Sequence, residues 1–229
     1  MKHLDLIIPT RNRLDKLERM LDSIEFSRIQ FDFSVIIVTD NDPISAEKMR
    51  QDSRVSKVIE VDSKNGTPIG SVYCRNQGTM LAEDGVSWGV DDVVYDGQDF
   101  FNIAFEKYNS IFSNDEGVLA FNVLNNKHRV RKPGQSRCGM GMVGQQWLSQ
   151  YPKKQLFYPG YFHFSCQEIV RLGKKFSKLE FAEELKVYHL SPCAGEVVDT
   201  THVDARKYRM KDMKVSGDRK NAGLIWGAE

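Results

Sequence analysis

The chain reads as an α/β protein built on a mostly parallel β-sheet with helices on both faces, and two observations carry that reading. Up to Asn125, short β-branched apolar runs alternate with stretches whose apolar residues recur at helical spacing. Strands joined this way run parallel through right-handed crossovers, and the crossovers cover both faces of the sheet. A chain of 229 residues with 41% hydrophobic content is also long enough to close one substantial core.

Leu4 to Pro9 is the first buried strand, and Leu14, Leu17, Leu21 and Ile24 then follow at helical spacing behind an Asn12 N-cap, with Asp15 in the first turn. SVIIVTD is the second strand and ends at Asp40, after which Asp42-Pro43 opens a short helix through Arg50. Val55 to Val61 makes the third strand, and Thr67-Pro68 supplies the cap and first-turn proline of a helix running to about Ala82. The fourth strand, VSWGV, runs into Asp91-Asp92. After Gly97 a helix carries Phe101, Phe105, Tyr108 and Phe112 on one side, and VLAFNVL is the fifth strand. Past Asn125 come a basic Gly-rich segment, an aromatic run, a helix from Glu168 and the strand LKVYHL. One domain is expected over residues 1–190, with 191–229 a C-terminal extension packing on it or projecting from it.

Composition narrows the function classes. No segment approaches the roughly 20 apolar residues of a membrane span, and Asp5 interrupts an opening apolar run too short for a signal peptide, so a cytoplasmic protein is expected. Cys74, Cys138, Cys166 and Cys193 are widely spaced, with no CxxC pair, which reads as reduced thiols. The net charge of +1 hides an imbalance: Gly117 to Gln167 contains no acid and carries Lys127, Arg129, Arg131, Lys132, Arg137, Lys153 and Lys154. Such a stretch calls for an anionic ligand.

In open α/β sheets ligands bind beyond the carboxyl ends of the strands. Three polar clusters fall there: PTRNR after the first strand, TDND after the second and DD after the fourth. Adjacent carboxylates repel unless a cation compensates them, and hard oxygen donors suit Mg²⁺ or Mn²⁺ bound together with phosphates.

LIIPTRNR, VTDND, CRNQG and GVDD, in that order and spacing, resemble the family-2-type glycosyltransferases of GT-A fold, a nucleotide-diphospho-sugar transferase superfamily, over about residues 4–192. The resemblance implies that Pro9, Thr10, Arg11 and Asp40 surround the donor nucleotide, with Arg75 and Asn76 close by. The family's DxD motif falls on Val90-Asp91-Asp92, with valine in place of the first acid; Asp92 then corresponds to the metal ligand and Asp91 to a ribose or sugar contact. FHFSCQEIVRLGKKFSKLEFAEELKVYHLSP resembles the segment bearing the catalytic base and a histidine metal ligand, here Glu168 and His189, with Cys166 where an acid often precedes the base. The implied activity is metal-dependent, inverting transfer from a nucleoside-diphosphate sugar to an acceptor hydroxyl, using Mn²⁺ or Mg²⁺. The acceptor is expected to be anionic, for instance DNA carrying a hydroxylated base.

Competing readings rest on other residues. Gly139, Gly141 and Gly144 match GxGxxG but follow a charged stretch rather than a first strand, and no P-loop motif is present. His163, Cys166, His189 and Cys193 have spacing compatible with a zinc site. The basic stretch and the cationic tail fit a non-catalytic nucleic-acid-binding protein, which leaves the strand-end aspartates unexplained. A sugar-nucleotide nucleotidyltransferase on a related fold would need a Gly-rich first turn with a following lysine, absent here.

Overall fold

The computed structural model describes residues 1–124, 139–163, 166–192 and 195–229. Lys127, Arg129, Arg131, Lys132 and Arg137 of the basic segment lie outside the described residues, as do Cys138 and Cys193.

Eight strands form one sheet: β1 (His3–Thr10), β2 (Asp32–Asp40), β3 (Lys57–Val61), β4 (Gly85–Trp88), β5 (Val93–Tyr95), β6 (Val118–Leu124), β7 (Gly141–Val143) and β8 (Leu179–His189), in the order β3-β2-β1-β4-β7-β6-β8-β5. β1 pairs in parallel with β2 and β4, β2 with β3, and β6 with β8. β7 is antiparallel to both β4 and β6, so β6 and β8 point the same way as β1. β5 is antiparallel to β8. Only β5 and β7 therefore run against the rest, and the carboxyl ends of β1, β2, β4 and β8 share one edge of the sheet.

Side chains alternate across the sheet with period two, and both faces are covered. Leu4, Leu6 and Ile8 pack with Leu17, Met20 and Leu21 of α1 (Leu14–Asp22) and with Phe101, Ala104 and Tyr108 of α4 (Phe100–Ile111). Ile7 and Trp88 face the other way, toward Val72 of α3 (Ser71–Thr79) and toward Ile169 and Leu172 of α6 (Cys166–Lys175). The remaining helices are α2 (Pro43–Arg50), α5 (Gln145–Leu148) and α7 (Thr200–Asn221). The α/β class with helices on both faces is the fold observed.

Three helix starts differ from the sequence expectation, the smallest change being α6, which opens at Cys166 rather than Glu168. Asn12 is not the cap of α1: it sits at φ 53°, its amide bonds to Asp42 Oδ2 at 2.6 Å, and the helix opens one residue later behind Arg13. Asparagine tolerates this left-handed conformation better than most side chains. α3 opens at Ser71, not at Thr67-Pro68, because Asp40 takes the amides of Ile69 and Gly70 and holds that stretch as a loop. Gly70 is required there, with φ 106° and the Phe162 carbonyl 2.7 Å from where a Cβ would stand. Asp42 caps α2 as its sequence suggests, accepting from the Ser45 amide at 3.1 Å.

Candidate active site at the strand-end rim

The shared edge opens into a cavity of about 340 Å³. Its wall includes Pro9, Thr10 and Arg11 after β1, Asp40 at the end of β2, Arg75 on α3, Asp91 and Asp92 past β4, and His189 at the end of β8. Eight of the ten residues singled out from the sequence are thus brought to one cavity. The sheet register does this: Val93 pairs with His189, and the Leu190 amide bonds to the Asp92 carbonyl at 2.8 Å, so the last residue of β8 lies beside the paired acids.

Asp91 and Asp92 are 3% and 2% exposed, and two carboxylates in that setting need cations. Arg13 supplies one, with Nη1 3.0 Å from Asp91 and 3.2 Å from Asp92. The Thr10 hydroxyl donates to Asp91 at 2.9 Å. On the far side of Asp92, His189 Nε2 is 3.1 Å from Oδ1 and His202 Nε2 is 3.6 Å from Oδ2. The two acids are held unequally. Burial, helped by the charge of Asp92, pushes Asp91 up to about 6 against the pull of Arg13 and Thr10. Burial also opposes the charge of Asp92, but hydrogen bonds from both histidines and the nearby guanidinium outweigh it and keep that carboxyl well below the usual range. Asp92 is the member of the pair whose charged form the site favours.

The wall opposite the sheet comes from the C-terminal segment, with Thr201, His202, Asp204 and Ala205 lining the cavity. Asp199 caps α7 by accepting from the His202 amide at 3.0 Å, and it grips Arg13 in bidentate fashion at 2.8 and 2.9 Å and Lys16 at 2.7 Å. Asp204 pairs with Arg11 at 2.6 Å. Arg13 therefore joins the paired acids to α7. Arg13 fell inside the PTRNR cluster without being assigned a role, and none of Asp199, His202 and Asp204 stood out in the sequence. Partners separated by as many as 193 positions leave no local pattern; the one available signal was that an isolated acidic pair requires a nearby arginine.

Two expected site residues lie elsewhere. Asn76 is spent on structure, its side-chain amide donating to the Phe157 carbonyl at 2.8 Å and its oxygen accepting from the Phe157 amide at 3.0 Å. Glu168 is 2% exposed and absent from the cavity wall. It accepts from Tyr161 Oη at 2.6 Å, from Arg219 at 2.7 and 3.0 Å, and from the Trp226 amide at 2.6 Å. Burial raises its pKa, yet these bonds outweigh it and lower the net value. A carboxylate so fully engaged fastens the tail and has no free lone pair to receive a substrate proton. Cys166 and His163 do line the cavity, but no group of three His, Cys, Asp or Glu able to hold a metal occurs among the described residues.

The described chain has the GT-A type of fold, and solved glycosyltransferases of that type superpose on it. S. aureus TarS 1–349 in complex with UDP-GlcNAc matches with TM-score 0.60 at 13% identity, covering 87% of this chain and 60% of that one. The mannosyltransferase PcManGT from Pyrobaculum calidifontis, in complex with GDP-Man and Mn²⁺, matches with TM-score 0.61 at 11% identity, covering 92% of this chain and 61% of that one. The chain thus spans about three fifths of the length of these neighbours. No family model matches the sequence, and no curated protein matches it.

Proposed function

We propose that the protein is a glycosyltransferase that moves a sugar from a nucleoside-diphosphate sugar to the hydroxyl of an anionic acceptor. The observation that carries this reading is the cluster of Asp91, Asp92, His189 and Arg13 at the carboxyl ends of parallel strands, inside the cavity that Asp40 and Arg75 also line. The donors in the TarS and PcManGT structures, UDP-GlcNAc and GDP-Man, lend it support.

Pro9, Thr10, Arg11 and Asp40 form the wall assigned to the nucleotide, with Asp40 also setting the loop before α3 through the amides of Ile69 and Gly70. Arg75, buried and anchored on the Gly89 carbonyl at 3.0 Å, brings positive charge toward the diphosphate. Asp92 and His189 suit a divalent ion, either Mn²⁺ or Mg²⁺. Asp92 and His189, already in contact at 3.1 Å, would hold such an ion together with phosphate oxygens of the donor. When bound, the ion supplies Lewis-acid stabilisation of charge on the departing diphosphate. Transfer by one displacement inverts the anomeric centre: the acceptor oxygen bonds to the anomeric carbon, the bond to the diphosphate breaks, and the hydroxyl proton passes to the imidazole of His202, which lines the cavity. A cytoplasmic setting accords with the free, buried thiol of Cys74.

Thermal denaturation with a panel of nucleoside-diphosphate sugars, with and without Mn²⁺, tests the reading. At a free donor concentration 100 times Kd, about 2.7 kcal/mol of stabilisation is expected, or roughly 5–10 °C in Tm for a domain of this size. A panel in which no donor raises Tm more with Mn²⁺ than without it would refute the assignment.

A further inference from the structure

The outer half of α7 is the feature that the donor site leaves unused. Arg206, Lys207, Arg209, Lys211, Lys214 and Lys220 are all exposed there, against one exposed acid on the helix, Asp218. Lys207 pairs with Asp204 at 2.9 Å; the other five cations have no ion pair among the described residues. At 3.6 residues per turn, Lys207, Lys211 and Lys214 fall on one flank of this half, and Arg206, Arg209 and Lys220 on the other. Between them runs a crest of Val203 and Met210, 44% and 71% exposed. Like charges three and four positions apart oppose helix formation by a few tenths of a kcal/mol per pair. A helix meant only for solvation would mix the signs.

We infer that this face docks duplex DNA, and that DNA is the anionic acceptor; the second clause rests on the transferase reading of the cavity. The B-form major groove is about 12 Å wide and admits an α-helix. In it, cations on both flanks meet the phosphates of both groove walls, while an apolar crest meets the floor, where thymine methyl groups lie. An interfacial membrane helix carries Trp, Phe or Leu on its buried face, and the exposed half of α7 within Thr200–Asn221 has none of these. The A-form groove of duplex RNA is too deep and narrow to take a helix. The placement also fits a substrate, because Thr201, His202, Asp204 and Ala205 of the same helix line the cavity, one residue before the cationic run begins.

The test is fluorescence anisotropy of a labelled duplex DNA of about two helical turns with the whole protein, without donor or Mn²⁺, from 50 to 200 mM salt. Binding is expected with a slope of log K against log salt of about −4 or steeper. The variant R206Q/R209Q/K211Q/K214Q, altered only at exposed positions, is expected to bind at least about tenfold more weakly at the lowest salt and to lose most of that slope. An unchanged melting temperature and donor-induced shift in the variant show that it folds. No binding by the wild type, equal binding by the variant, equal affinity for duplex RNA, or preferential capture by vesicles containing an anionic phospholipid would each overturn the proposal. DNA binding with no donor-induced shift would sink the transferase reading and leave the docking face standing.

Discussion

Arg13 is the residue on which the rim depends. It is 6% exposed and touches Asp91, Asp92 and Asp199, so its removal leaves a buried acidic pair without its guanidinium. Breaking a buried pair by deleting one partner typically costs about 3–5 kcal/mol, much of it the penalty on the charge left behind. Arg13→Gln is accordingly expected to lower Tm by roughly 10 °C in a domain of this size, measured calorimetrically; a drop under 2 °C would show that the histidines alone neutralise the acids. Asp92→Asn is expected to lower Tm as well, because it takes the charged partner away from Arg13 and His189, and in addition the Mn²⁺-dependent part of the donor-induced shift should vanish. Full retention of that part would take Asp92 out of the ligand role. Both expectations concern single side chains, and only the aspartate was legible in the sequence. It announced itself because a doubled acid after an apolar run is unusual. Arg13, in a PTRNR turn that holds two arginines, has partners 78, 79 and 186 positions away.

At the scale of elements, the strands and most helices were legible because their cause is local. β-Branched runs bury on a two-residue period and α4 on a helical one, so existence and order could be read directly. What failed was what depends on distant partners: the start of α3, displaced by a carboxylate from β2, and β5, a three-residue strand that exists through pairing with β8. Glu168 is the instructive case. Isolated among cations in sequence, it resembled a poised base, but in space it meets Arg219, 51 positions on, and the two tie α6 to α7. A carboxyl with a depressed folded-state pKa adds stability above its unfolded pKa, about 4.3 for glutamate, and loses it as pH falls through the folded value. Glu168→Gln should therefore be less stable by about 3 kcal/mol at neutral pH. Its Tm deficit should shrink as the pH drops below about 4.3. A deficit independent of pH would assign the loss to packing alone.

For the molecule as a whole, the sheet provides one wall of the cavity and the C-terminal helix the other, and that helix is held at both ends. Asp199 ties its start to Arg13 and Lys16, and Arg219 ties its last turn to Glu168. With 22 residues α7 is about 33 Å long, far beyond the 7–10 Å within which stability effects ordinarily interact. If it docks as a rigid bar, releasing one end weakens the other, and the two ties become coupled through the helix. A double-mutant cycle on Asp199→Ala and Glu168→Gln, followed by chemical denaturation, is expected to give an interaction energy of at least about 0.5 kcal/mol. The sign should be less than additive, because the first substitution already undocks part of what the second would release. Hydrogen exchange in Asp199→Ala should then rise along all of α7, including residues 216–221, and not only in its first turn. Additive energies with fraying confined to residues 200–205 would mean that the two ends act independently. The cavity wall formed by His202 and Asp204 could then open while the Glu168 tie stays closed.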